Sequence, residues 1–143
     1  MWELQKEIRI YIAVKRTDDR THYADSMIVD GFNVTAFPAA DELWNCFQLR
    51  PARIVMTERR FDYGLSGLQL VERVRQKQPW PYVYIAVMSS MNQMEEIEQG
   101  LEAGVDDYLL KPFNPIQLRA RALVALRWLS YLDSLCQEQT VGN

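Results

Sequence analysis

Five short apolar runs punctuate this chain, each separated from the next by a longer stretch with helical spacing. The runs are Ile8–Val14, Asn33–Phe37, Ile54–Thr57, Tyr82–Met88 and Tyr108–Leu110. Several are nearly continuous rather than alternating, the pattern of strands covered on both faces. A strand-then-helix unit repeated five times leaves few folds open. It calls for a parallel sheet with helices on both sides and right-handed crossovers.

The intervening stretches carry helix start signals. Ser66 to Gln69, Asn92 to Glu95 and Asn114 to Gln117 each place a capping residue three positions before Glu or Gln. Pro115 falls at a first helical position, where its missing N–H costs nothing. A first long helix is expected from about Asp19 to Val29, ending at Gly31. A second lies around Ala40 to Phe47, with Leu43, Trp44 and Phe47 as its apolar set. In the helix from Asn92, Met94, Ile97 and Leu101 share one face, and Gly104 supplies a stop.

The totals narrow the function. At 143 residues the chain is long enough for one well-buried core, and a net charge of −3 argues against nucleic-acid binding. Cys46 and Cys136 stand apart with no metal-ligand spacing, as thiols of a reducing compartment do. No apolar stretch reaches membrane-spanning length, and "MWELQKEIRI" is too charged for a secretory signal, so the expected location is cytoplasmic with no membrane partner. His22 sits in a polar stretch without catalytic partners and reads as a surface residue.

In a sheet of this kind chemistry gathers outside the carboxyl ends of the strands. The first run ends on Val14-Lys15, the third on Thr57-Glu58, the fourth on Ser89-Ser90. The fifth ends on Lys111, followed at once by Pro112. A cation at the tip of a buried strand, with the next backbone step restricted, has to be aimed at something.

The stretch "LEAGVDDYLLKPFNPIQL" (101–118), with "SGLQLVERVR" (66–75) and "DGFNVTAF" (30–37), resembles the receiver domain of bacterial two-component response regulators. The similarity runs from about Ile8 to Leu129. It implies a flavodoxin-like, doubly wound (βα)5 fold with a five-stranded parallel sheet of order 2-1-3-4-5 and an extended C-terminal helix. In that family an aspartate ending the third strand accepts a phosphoryl group and two acidic residues ending the first hold Mg²⁺. By the resemblance, Ser89 is the hydroxyl switch, Tyr108 the aromatic switch, and Lys111 with Pro112 the lysine-proline pair, commonly joined by a cis bond. The acidic pair falls on Val14 and Lys15, and the acceptor on Glu58, with Thr57 as the competing position. The loop "ERRFDYGLSG" is one residue longer than usual.

These departures have physical consequences. Mg²⁺ requires carboxylate and carbonyl oxygens. A divalent ion ~5 Å from a lysine ammonium costs on the order of 6 kcal/mol at an effective dielectric of about 20. A glutamate at the acceptor position reaches one methylene further than an aspartate, toward where a phosphoryl oxygen would sit. A permanent Glu58–Lys111 ion pair, joined by Lys15 or not, is therefore expected. Asp18 and Asp19 are an alternative metal pair; capping the first helix is the plainer role. Asp106 and Asp107 read as a turn into the fifth strand, Ser89 and Tyr108 alternatively as a turn cap and core filler. Arg59 and Arg60 are either solvated loop cations or, with Lys15, an anion-binding rim.

The final helix carries Leu118, Ala122, Ala125, Leu129, Leu132 and Cys136 at alternating spacings of 4 and 3. Its first half packs on the sheet. The part from Leu129 to Cys136, with Trp128 and Tyr131 nearby, is a contact surface, and "QEQTVGN" a frayed tail or linker. The domain division is then 1–129, receiver-like, and 130–143, helix extension or linker. The expected function is a phosphorylation-independent signalling module, not an enzyme, with no cofactor and no bound metal. It would homodimerise through the helix before the fifth strand, that strand and the last helix, and engage an output domain or a kinase-pathway protein. The alternatives are a working phosphoacceptor using Glu58, Thr57 or the Asp18/Asp19 pair, and a small anion- or nucleotide-binding sensor.

Overall fold

The computed structural model describes residues 2–90 and 93–141. The elements are α1 (Trp2–Glu7), β1 (Arg9–Ala13), α2 (Thr17–Val29), β2 (Asn33–Phe37), α3 (Ala40–Leu49), β3 (Ile54–Glu58), α4 (Gly67–Lys77), β4 (Tyr84–Ser89), α5 (Met94–Ala103), β5 (Asp107–Leu110) and α6 (Pro115–Val141). The five strands form one sheet of order β2-β1-β3-β4-β5, all neighbours parallel. This is the flavodoxin-like arrangement expected from the sequence.

Every residue of β3 and β4 is buried, because both faces of the sheet are covered. Alternate side chains feed two cores. Ile10, Ile12, Met56 and Met88 pack against Met27 of α2 and Leu118, Ala122 and Leu126 of α6. Tyr11, Val55, Ile85 and Val87 pack against Leu43 and Phe47 of α3 and Leu70 and Val74 of α4. The register puts Ala13 beside Thr57 and Glu58 beside Met88, so the ends of β1, β3 and β4 reach one rim.

Two of the expected capping boxes are present. Ser66 and Gln69 cap α4 reciprocally, and Asn114 and Gln117 do the same for α6. The third rested on Asn92, which lies outside the described residues; α5 begins after Gln93, which makes no side-chain cap. Gly104 ends α5 at φ 109°, a left-handed conformation that glycine adopts freely. The Lys111-Pro112 bond is cis, as is Trp80-Pro81.

The structure departs from or adds to the sequence reading in four places. The short α1 was not foreseen; Gln5 docks it by donating to the Asp30 carbonyl. The helix α2 starts at Thr17, two residues early, with Arg16 at the N-cap and no side-chain cap. Asp18 and Asp19 lie inside its first turn, where carboxylates complement the helix dipole rather than cap it. The apolar stripe of α5 does not face the core: Met94 is 69% and Leu101 57% exposed. Finally, α6 stays helical to Val141, where a tail was expected, since no Gly or Pro interrupts it before Gly142. Leu118 through Leu129 are the buried part of its stripe, and Cys136 is exposed. Arg53 clamps the next turn by a two-pronged contact with Asp133 (3.1 and 3.3 Å). Among the described residues no helix is long and apolar enough to cross a membrane.

Candidate functional site at the strand-end rim

Glu58 stands at the centre of the rim. Its Oε2 receives the Lys111 ammonium and its Oε1 the backbone N–H of Lys15. The carboxylate side chain is only 11% exposed, so this pairing works in a partly desolvated setting. Lys111 is held in place by its own N–H, which donates to the Ser89 carbonyl (2.8 Å). Charge-assisted bonds thus tie the ends of β1, β3 and β5 together.

At the end of β1, Val14 is 1% exposed and belongs to the core. Lys15 turns outward, its Nζ 2.8 Å from Asp62 Oδ1 in the loop after β3. The Val14 and Lys15 carbonyls both accept from Arg20 Nη1, at 2.9 and 3.3 Å. Thr57 is fully buried and its hydroxyl donates to the Glu58 carbonyl at 2.9 Å, so it offers no free nucleophile. Ser89 is buried at the end of β4.

The loop after β3 is anchored from α3. Asp41 accepts from the Leu65 N–H (2.8 Å), and Tyr63 donates to Glu42 (2.8 Å), a bond that raises the Tyr63 phenol above its ordinary pKa. Gly67 sits so close to the Glu58 carbonyl that any Cβ there would overlap it.

Arg59 departs from both sequence readings. It is 8% exposed, neither solvated nor on the rim. Its guanidinium reaches under α5, donating to the Tyr108 hydroxyl, the Glu96 carbonyl (3.1 Å) and Gln99 Oε1 (2.9 Å). Arg60 stays exposed and pairs with Glu96 at 3.3 Å. Of the three cations of the supposed anion rim, Lys15 therefore turns to Asp62 while Arg59 and Arg60 both turn to Glu96, so each already faces a carboxylate. Their partners lie 36 to 49 residues downstream for the arginines, beyond any local sequence pattern.

Asp106 and Asp107 lie at the other end of β5. Asp106 accepts from Arg75 (2.9 Å) and the Ile85 N–H (2.8 Å) and from the Tyr82 hydroxyl. Burial, then that bond, pushes the Tyr82 phenol up to about 12. Burial raises the Asp107 carboxyl, with Arg121, 3.2 Å away, opposing it. His22 is exposed on α2, as expected. Asp18 lines a groove between α2 and α6 with Asp25, Asp30 and Arg119, away from Glu58's partners.

A sequence profile of the response regulator receiver domain matches residues 18–123. The chain belongs to that family. It is 31% identical over 98 residues to the phosphate regulon transcriptional regulatory protein PhoB of Rhizobium meliloti, covering 68% of this chain and 43% of that protein. It is 33% identical over 111 residues to the transcriptional regulatory protein KdpE of Staphylococcus aureus, covering 75% and 45%. The chain thus spans less than half the length of these curated relatives. Among solved structures it resembles Vibrio cholerae chemotaxis protein CheY4 (TM-score 0.76, 17% identity, 82% of this chain and 98% of that one). It also resembles NtrX from Brucella abortus (TM-score 0.82, 20% identity, 91% and 29%). These likenesses are of fold.

The residues at this rim do not fit the Mg²⁺ of the family. Val14 brings no oxygen and Lys15 brings a cation. The two carbonyls nearby are taken by Arg20, and both Glu58 oxygens are taken by N–H donors. Among the described residues no group of three or more His, Cys, Asp or Glu is gathered so as to hold a metal ion. A hard cation would have to displace these bonds to find ligands.

Proposed function

We propose that this receiver domain signals by docking rather than by phosphorylation, as an interaction module and not as an enzyme. The observation that carries this reading is the double occupancy of Glu58. Its two oxygens already hold the Lys15 N–H and the Lys111 ammonium, the groups that would otherwise face an incoming phosphoryl oxygen. In-line attack needs an unencumbered nucleophile and a divalent ion for the developing charge; both Glu58 oxygens carry donors, and Val14 and Lys15 offer no carboxylate to hold such an ion. Ser89 and Tyr108 are then parts of the scaffold rather than reporters of a phosphoryl group.

The docking face is built by α5, β5 and α6. Leu101, Leu110, Val124, Trp128 and Tyr131 are each at least 42% exposed along it. Val124, Trp128 and Tyr131 recur at spacings of 4 and 3, which puts them on one face of α6 as an apolar strip rather than as scattered residues. Glu95, Glu98 and Glu102 edge α5, and Arg121 and Arg127 edge α6. A two-fold axis sets the acidic helix of one copy against the basic helix of the other, so a homodimer suits the face. The curated relatives are named as transcriptional regulators; by that analogy the chain works in the cytoplasm beside an output domain and a histidine-kinase pathway. The division at residues 129 and 130 belongs to this reading, with the end of α6 as the link.

Tryptophan fluorescence and light scattering with Mg²⁺ and beryllofluoride test it: no change is expected in either. A saturable, Mg²⁺-dependent change would favour the working phosphoacceptor instead. A thermal-shift screen against nucleotides tests the anion-sensor alternative, for which no stabilisation is expected.

A further inference from the structure

The helix α5 is weakly seated by apolar contacts. It has a single buried residue, Gly100, whereas α4 has four. Met94 and Leu101 are exposed while Ile97 and Ala103 are half-buried, and a cleft of about 230 Å³ opens between its start and the loop after β3, lined by Arg59, Arg60, Ser66, Leu68, Glu96 and Gln99. What holds it is polar. At its C-terminal end Arg75 donates to the Gly104 carbonyl (2.6 and 3.0 Å). Toward its start the buried Arg59 guanidinium takes the Glu96 carbonyl and the Gln99 side chain, with Glu96 Oε2 4.0 Å from its Nε.

The same guanidinium donates to the Tyr108 hydroxyl, which in turn donates to the Glu96 carbonyl at 3.3 Å. The Tyr108 ring lies against Gly100, where any Cβ would overlap it. Arg59 is adjacent in sequence to Glu58, and its N–H donates to the Met88 carbonyl at 3.2 Å, fixing it to the sheet. One side chain therefore links the end of β3 both to α5 and to the Tyr108 ring of β5.

We propose that Arg59 is a positioning residue for the docking face: from the end of β3 it seats the first two turns of α5 and fixes the Tyr108 ring. Resting on the reading that this face signals, the proposal says what sets the face's shape when no phosphoryl group does. A planar guanidinium suits the task, since its five N–H donors serve several acceptors at fixed angles and it stays charged when buried.

The test uses the chain labelled with 3-fluorotyrosine and read by fluorine NMR, with Tyr108→Phe assigning one of the seven tyrosines. Arg59→Met keeps the buried stem and removes every donor; Arg59→Lys keeps part of the donation. The expected result for Arg59→Met is a displaced or broadened Tyr108 signal with those of Tyr23, Tyr82 and Tyr84 unmoved. Amide exchange across residues 96–100 should quicken about tenfold or more. Arg59→Lys should fall between it and the parent. An unmoved Tyr108 signal with unchanged exchange in Arg59→Met overturns the proposal. So does a joint shift of all seven signals in both variants, which would make Arg59 a residue of general stability. No Mg²⁺ or phosphodonor is present, so the result is independent of whether the chain takes up phosphate.

Discussion

Lys111, at the end of β5, donates its ammonium to Oε2 of Glu58, at the end of β3, across the intervening β4. This is what the cation at the strand tip is aimed at. The pair closes the rim with charges the chain carries permanently, and Lys15 completes it with a backbone N–H rather than its side chain. Because Glu58 is 11% and Lys111 31% exposed, the pair is partly desolvated, and each charge depends on the other more than at an open surface.

Removing one partner should therefore cost more than removing both. Lys111→Met is expected to destabilise the chain by about 2 kcal/mol, because it strands a carboxylate. Adding Glu58→Met should recover much of that. Urea unfolding of the two single variants and the double variant measures the coupling.

Shortening the acceptor alone should not restore phosphorylation. Glu58→Asp frees a carboxylate of the family's length but leaves Val14 and Lys15 where metal ligands would be needed. No phosphoryl uptake from acetyl phosphate is expected by intact-mass spectrometry. Combining it with Val14→Asp and Lys15→Asp should bring measurable Mg²⁺ binding by calorimetry.

The exposed aromatic pair on α6 should set self-association. Trp128 and Tyr131 stack at 6.2 Å between ring centroids, and both are about half exposed. Trp128→Glu is expected to weaken a dimer by about 2 kcal/mol, roughly thirtyfold in Kd, with little change in the monomer's stability. Sedimentation at graded concentrations measures both species.

Gly100→Ala should disturb the same face from the inside. The added Cβ would overlap the Tyr108 ring, so α5 or the ring must move. A cost of about 1–3 kcal/mol is expected, typical of overpacking. Amide exchange should rise in α5 before it rises in the sheet.

The alkaline limb of stability should trace in part to Tyr82, which shares it with Tyr11, whose phenol burial also pushes up to about 12. The folded-state pKa of Tyr82, pushed up to about 12, lies above the ordinary phenol value of 10.0. Its contribution is therefore complete below pH 10 and is lost as pH rises through about 12, because the unfolded phenol ionises first. Tyr82→Phe should flatten that part of the curve. Asp107 is raised too, so its contribution is present below the ordinary aspartate range and lost as pH rises through its folded value. Asp107→Asn should gain stability relative to the parent at neutral pH, a gain that vanishes in acid. Thermal melts across pH measure both.

The strands were legible because burial on both faces writes continuous apolar runs; β2 matched at both ends and the other strands differed by a residue or two at one end or both. Ser66/Gln69 and Asn114/Gln117 were legible because capping is local chemistry three residues apart. Asp18 and Asp19 misled because first-turn carboxylates and N-caps share residue types. The α5 stripe misled because helical periodicity reports an apolar face without saying what covers it. Arg59 was opaque for a different reason: its burial depends on Glu96, Gln99 and Tyr108, contributed by a helix and a strand far along the chain.

The most direct test is intact-mass spectrometry of the unmodified chain after incubation with acetyl phosphate and Mg²⁺. If Glu58 is sealed by Lys111 and the Lys15 backbone, the mass stays that of the unreacted chain at every time point. Stoichiometric gain of one phosphoryl group, mapped to Glu58 or Thr57, would contradict the account.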